Sequence, residues 1–354
     1  MHARWVLTAS AITLLAALVF SEDASPRRLN PVVELLMQHR PVFGVYAPSN
    51  RRGRGGVPGA SVPGAPGQAA GAPGATSTPN ADPPRTPAQL ALDALGYKDA
   101  DYIFDGSMEG DFDRAFPPFA EFMTGMAEGG ALQKSSTPRL HHPLIVKTHL
   151  IAPDRALAAE RISKQLNLGV SGIVFVGVES ADEVQAGLSM MRFKSKGGTR
   201  LDDVGGAPAY WGMSEKEYRE KADLWPLNPA GELVNWTIVE SKEGLAHVRE
   251  IAAVKGISVL FPGAGTLRGV FSTTDSTGKR VLDQQAWEAA IQQVLAACKE
   301  FHVPCGYPAN ANDIELRMKQ GFSVFVINWG EQGFRAVDVG RQAAGRSAGD
   351  TGQR

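Results

Sequence analysis

Eight apolar runs, separated by stretches of helical periodicity, set the narrowest limit on what this chain can fold into. The runs are Val42–Tyr46, Ala100–Met108, Leu144–Leu150, Gly172–Val178, Leu233–Val239, Ser258–Pro262, Val303–Tyr307 and Ser323–Asn328. Two of them, Ile173-Val174-Phe175-Val176 and Val324-Phe325-Val326-Ile327, are apolar at every position. Such strands are buried on both faces, which is the habit of parallel sheets. A short helix is expected at Val32–Gln38. Amphipathic helices are expected at Ala152–Leu168, Ala181–Met191, Lys242–Val254, Asp283–Phe301 and Ala311–Gln320. Eight βα repeats predict an α/β fold of the (β/α)8 TIM-barrel type, with its functional residues at the C-terminal strand ends. An open, doubly wound sheet is the alternative, and it asks for a glycine fingerprint after an early strand. The one candidate, Gly263-Ala264-Gly265-Thr266-Leu267-Arg268-Gly269, stands late in the chain with the wrong glycine spacing.

The chain has 354 residues, more than the roughly 250 of a typical barrel. Three segments account for the excess. Met1-His2-Ala3-Arg4 is short and basic, Trp5 to Phe20 is apolar, and Ser21-Glu22-Asp23 follows. That pattern predicts a signal peptide over 1–21 and hence export, periplasmic or secreted, with a membrane anchor as the alternative. From Arg51 to Pro87 Gly, Pro, Ala and Ser dominate without periodicity. A segment of this composition buries too little apolar surface to offset its ordering entropy, so a disordered insertion after strand 1 is expected over 51–90. The single barrel domain then spans 30–340, with a tail over 341–354. Cys298 and Cys305 would meet an oxidising compartment, yet a helix end and the next strand would set their Cα atoms too far apart to bridge. Two buried thiols are expected. The formal net charge is −1, and no basic run with interleaved aromatics occurs, which argues against a nucleic-acid partner.

Side chains at i and i+2 of a strand share a face. Asp105, Ser107 and Glu109 should therefore stand together, as should Lys147 and His149, and Trp236, Ile238 and Glu240. All three sets fall at strand ends, so they should line one mouth of a barrel. Acids, a lysine and a histidine gathered there suit a divalent ion and an anionic substrate. Each residue also has a plainer reading. Asp105 could satisfy turn amides, Lys147 and His149 could face solvent, and Glu240 could cap the helix that starts beside it. His141-His142 resembles a metal pair but precedes a strand at the opposite end, where a surface loop is expected. The segment 194–230, with Lys194, Lys196, Arg200, Tyr210, Trp211 and Trp225, could cover the mouth or a neighbouring molecule.

In its ordered pieces the chain resembles the HpcH/HpaI aldolase and citrate lyase family. The pieces are Asp101-Tyr102-Ile103-Phe104-Asp105-Gly106, Pro143-Leu144-Ile145-Val146-Lys147, Gly169-Val170-Ser171-Gly172-Ile173-Val174, Glu179-Ser180-Ala181-Asp182-Glu183-Val184, Ile238-Val239-Glu240-Ser241-Lys242-Glu243-Gly244-Leu245, Val259-Leu260-Phe261-Pro262-Gly263, and Pro308 through Phe325. The resemblance implies cleavage or formation of a carbon–carbon bond next to a pyruvate-like enolate. In that chemistry a Glu and an Asp hold Mg²⁺ or Mn²⁺, an arginine adds positive charge, and a His assisted by an Asp moves the proton. Glu240 falls on the metal-ligand glutamate and Asp105 on the aspartate that assists the base. Lys147 falls on the arginine, keeping the charge but losing the bidentate fork. Met108 falls on the histidine base, Thr266 on the second metal carboxylate, and Ile238 replaces a polar residue. His149 and Glu109 are the nearby groups able to replace the base.

The reading is therefore an exported carbon–carbon lyase of aldolase type, acting on a small 2-oxo or hydroxy acid through a metal-stabilised enolate. Its site residues are Asp105, Lys147, His149 and Glu109, with Glu240 for the metal. The resemblance also implies a homo-oligomer, trimer or hexamer. The alternative is a catalytically silent barrel that binds an acidic metabolite or serves as an assembly subunit.

Overall fold

The computed structural model describes residues 27–50 and 83–347. The segment expected to be a signal peptide, most of the expected insertion and the last residues of the tail lie outside that range. Among the described residues, no helix is long and apolar enough to cross a membrane.

Eight parallel strands form at the expected places: β1 Val42–Tyr46, β2 Tyr102–Asp105, β3 Leu144–Lys147, β4 Gly172–Phe175, β5 Leu233–Val239, β6 Val259–Pro262, β7 Gly306–Ala309 and β8 Val324–Ile327. Their order is β7-β8-β1-β2-β3-β4-β5, with β6 on the far side of β5. An isolated parallel bridge between Leu260 of β6 and Cys305, at the head of β7, joins the two ends of this sheet. The arrangement is an α/β fold consistent with a TIM-like barrel.

Alternation along the strands divides the core in two. Val42, Tyr102, Phe104, Ile145, Val174, Trp236, Phe261 and Val326 pack together on the inner face. Phe43, Val45, Ile103, Val146, Ile173, Phe175, Leu260 and Phe325 pack outward against the helices. Gly44 belongs to the inner face, where an added Cβ would lie 2.1 Å from the Tyr102 ring. The helix Pro31–Met37 closes the N-terminal end of the sheet, with Val32, Val33, Leu35 and Leu36 in the inner cluster.

The helices begin at side-chain caps. Asp154, Ser180, Ser241 and Asp283 each accept a backbone N–H from the first turn of the helix that follows, satisfying a donor that has no partner within the helix. Thr86 and Gln89 form a capping box for the helix Pro87–Gly96, so residues 87–90, counted with the insertion from composition, are helical. Its apolar face packs on the helix Phe112–Glu128. Asn50 and Arg85, on either side of residues 51–82, are joined by two hydrogen bonds of 2.7 and 2.8 Å.

Three other expectations are corrected. Cys298 and Cys305 are disulfide-bonded, with Cα atoms 5.7 Å apart, well inside the bridging range. The connection after the helix Gln284–Glu300 folds back tightly, Val303 N–H donating to the Cys298 carbonyl, and this brings the next strand to the helix end. His142 is fully buried rather than in a surface loop. Segment 194–230 lies at the N-terminal end and away from the mouth. There Leu224-Trp225 pairs with the first residues of β5, and the Trp211 indole donates to the Gly169 carbonyl before β4.

Candidate active site

At the C-terminal ends of the strands a solvent-open cavity of about 430 Å³ is lined by Lys147, Glu240, Thr266 and Tyr46 above a floor of Phe104, Trp236 and Phe261. The floor rings stack on one another, Phe104 on Trp236 at 5.9 Å and Trp236 on Phe261 at 6.0 Å between centroids. Lys147 is the last residue of β3, and Glu240 directly follows β5. Trp236, Ile238 and Glu240 line the same cavity, as their alternation requires. Gly263 sits against Glu240, where an added Cβ would come within 2.3 Å of the glutamate Cβ.

Glu240 accepts the Gly177 N–H at 2.9 Å and is hydrogen-bonded to Thr266. Burial raises its carboxyl above the ordinary range, while the Lys147 charge and the Thr266 bond act in the opposite direction. Lys147 is 7% exposed, and its ammonium donates to Glu109 Oε2 at 2.8 Å. Glu109 reaches it from a turn after β2, not from the strand itself. Its N–H bonds back to the Gly106 carbonyl, so strand alternation does not extend that far. Tyr46, at the end of β1, carries a hydroxyl whose pKa is raised, first by burial and then by Glu109, Asp105 and Glu240. The sequence reading did not include it, although Val42, Gly44 and Tyr46 share the inner face.

Other expected residues stand off the cavity wall. Asp105 Oδ1 accepts both the N–H and the hydroxyl of Ser107, the plainer reading of an acid before Gly106, and burial raises its pKa. His149 Nδ1 lies 2.8 Å from the Glu109 carbonyl and does not line the cavity. Met108 is buried in the outer core with its sulfur 3.5 Å from Gln165 Nε2. The backbone there turns the position of the family's base away from the mouth.

These donors do not fit a two-carboxylate divalent-metal centre. Glu240 has Thr266 opposite it instead of a second acid, Glu109 is ion-paired with Lys147, and Asp105 is held in its own turn. Among the described residues no three His, Cys, Asp or Glu side chains converge as a metal site. A single charged oxygen ligand and a hydroxyl are a weak set for an ion that prefers carboxylates.

A family model for HpcH/HpaI aldolase/citrate lyase matches residues 150–327, half of the chain, and the protein belongs to this family. The matched span contains Glu240 and Thr266, while Asp105, Glu109, Lys147 and His149 precede it. A 2-dehydro-3,6-dideoxy-6-sulfogluconate aldolase from Pseudomonas putida is 24% identical over 197 residues, covering 50% of this chain and 71% of the relative. Among solved structures, an HpcH/HpaI aldolase/citrate lyase family protein from Burkholderia cenocepacia superimposes with a TM-score of 0.56 at 17% identity, covering 84% of this chain and 92% of that one. An HpcH/HpaI aldolase from Desulfitobacterium hafniense gives 0.53 at 14%, over 84% and 89%. These likenesses bear on the fold.

Proposed function

We propose that the protein is a carbon–carbon lyase of aldolase type that acts on a small 2-oxo or hydroxy acid. The observation that carries this is that Lys147 and Glu240 line one cavity at the C-terminal strand ends. Lys147, the one cation among the described lining residues, supplies the positive charge toward which electrons move as the carbon–carbon bond breaks. A preformed charge in a partly dry site costs no reorganisation at that moment. Glu240, with its carboxyl raised above the ordinary range by burial, is the group placed to pass a proton to and from the substrate hydroxyl. The aromatic floor excludes water beneath the reacting carbons. The Mg²⁺ or Mn²⁺ of the family chemistry would have Glu240 as its one carboxylate, and no step of this reading passes through it. Export, from the N-terminal pattern, remains part of the proposal.

The test is to supply 4-hydroxy-2-oxo acids to the purified protein and measure release of pyruvate and aldehyde. Release by the wild type, with loss in Lys147→Met and Glu240→Gln, is expected. A silent acid-binding barrel is the second reading, favoured by the burial of Met108 away from the mouth. Saturable binding of pyruvate without turnover of any such acid would establish it instead.

A further inference from the structure

The mouth holds one carboxylate and a hydroxyl, Glu240 and Thr266, where a metal centre asks for two carboxylates, and beside them stands the buried amine of Lys147. We infer that Lys147 is a nucleophile that captures the 2-oxo group as an imine, so that this chain performs within a metal-aldolase family the chemistry of a lysine aldolase. The inference rests on the proposed lyase reading and names its electron sink.

Three observations combine. Lys147 lines a cavity floored by Phe104, Trp236 and Phe261, which is where the 2-oxo group of a bound acid would meet a lysine nucleophile. Glu109 accepts its hydrogen bond at 2.8 Å. The two partners differ in access to water, the lysine side chain being 9% exposed and the glutamate 33%. Glu109 is therefore the group placed to take a proton from Nζ and to return it, with water at hand on its own side. The third observation is Thr266 hydrogen-bonded to Glu240, which fills the metal-ligand position with a group that cannot supply the missing charge. Positive charge for the enolate must then come from elsewhere, and an iminium nitrogen at Lys147 provides it.

The step balances within these residues. The Lys147 lone pair attacks C2 of the 2-oxo acid, and the carbonyl π electrons move to oxygen, which takes the proton held by Glu109. A proton on nitrogen returns to Glu109, which delivers it to the hydroxyl as water departs. An ammonium and a ketone have become an iminium and water, with no net change in protons. Glu240 then takes the proton of the C4 hydroxyl and the C3–C4 bond breaks. Its electrons form the enamine, and an aldehyde leaves. Protonation at C3 and addition of water to the iminium return pyruvate and Lys147.

The experiment is borohydride reduction of the full chain in the presence of pyruvate, with chelator added, followed by intact and peptide mass measurement. Expected is one modified site, at Lys147, heavier by pyruvic acid minus one water plus two hydrogens. Lys147→Arg should lose the label, and Glu109→Gln should label at Lys147 on the order of 10²-fold more slowly, the usual loss for a proton-transferring group. Lyase turnover by the wild type without label at Lys147, or label spread over other lysines, overturns the imine and leaves the lyase reading standing. Label at Lys147 without turnover supports the imine and sinks the lyase reading. Neither label nor turnover removes both.

Discussion

The two ends of the barrel use charge in opposite ways. At the N-terminal end, buried or half-buried arginines meet buried carboxylates: Arg28 with Glu232 at 3.3 Å, Arg139 with Glu34 at 2.5 Å, Arg192 with Asp223 at 2.6 Å, and Arg346 with Asp101 at 2.5 Å. Several also tie backbone groups, as Asp101 does in accepting the Phe43 N–H and Glu232 in accepting the Asn30 N–H. At the C-terminal end one lysine serves a mouth that also holds Glu109, Glu240 and Tyr46. Planar guanidinium forks fix position, whereas a single ammonium beside a half-open carboxylate is a point charge that can exchange partners. Fixed pairs mark the end opposite the cavity, and the exchangeable one stands at the cavity where the chemistry is proposed.

The comparison breaks most easily at Asp101. Asp101→Asn removes the carboxylate charge that Arg346 and Arg341 share, and removing one member of a buried pair costs about 3–5 kcal/mol. Thermal unfolding should report that loss with pyruvate binding intact at low temperature. A change under about 1 kcal/mol would show these pairs to be ornamental.

His142 sharpens the contrast through pH. Its pKa is lowered to about 3, first by burial and then by His141 and Lys98, so the folded ring stays neutral where the unfolded one, near 6.5, takes a proton. The unfolded state then binds more protons, and stability is lost as pH falls from about 6.5 toward 3, by on the order of 4 kcal/mol. His142→Phe should flatten that acid limb in denaturant titrations. An unchanged limb would place the acid sensitivity elsewhere.

At the mouth the expected effects shift from stability to activity. Lys147→Met should lower turnover by at least roughly 10²–10³-fold, the usual effect of removing one preformed charge at a developing oxyanion, while unfolding moves little because Glu109 keeps water. A large loss of stability would make Lys147 another structural ion pair. The smallest effect is expected at Glu240. Its folded pKa is raised, so the folded state holds the extra proton and stability falls as pH rises from the ordinary carboxylate range through the raised value. Glu240→Gln should remove that decline, visible as a flatter unfolding midpoint between mildly acidic and neutral buffer. A steeper decline would reverse the assigned sign.

The fold was readable in the chain because apolar runs such as Ile173–Val176 have no alternative to a doubly covered strand. Lys147 and Glu240 were readable for a related reason, since strand ends of parallel sheets are fixed by the same runs. What escaped depended on turns. Glu109 reaches Lys147 only because the chain turns back after β2, its N–H on the Gly106 carbonyl, and Cys305 reaches Cys298 only because residues 301–304 fold back on the helix end. His142 escaped because a polar doublet before a strand carries no sign of what packs over it. The direction of Met108, which is buried in the outer core, was set by a turn that no alternation rule describes.

The paired hydrogen bonds between Asn50 and Arg85 carry a consequence for how this chain can be edited. They hold the two flanks of residues 51–82 side by side, so the barrel sees that stretch as a single closed joint. The entropy of closing a loop grows only with the logarithm of its length, by about 0.6 kcal/mol for each doubling. The joint is therefore indifferent to how much sequence it spans. Such a point can receive a reporter, a binding peptide or a much shorter tether, and the strands on either side keep their register.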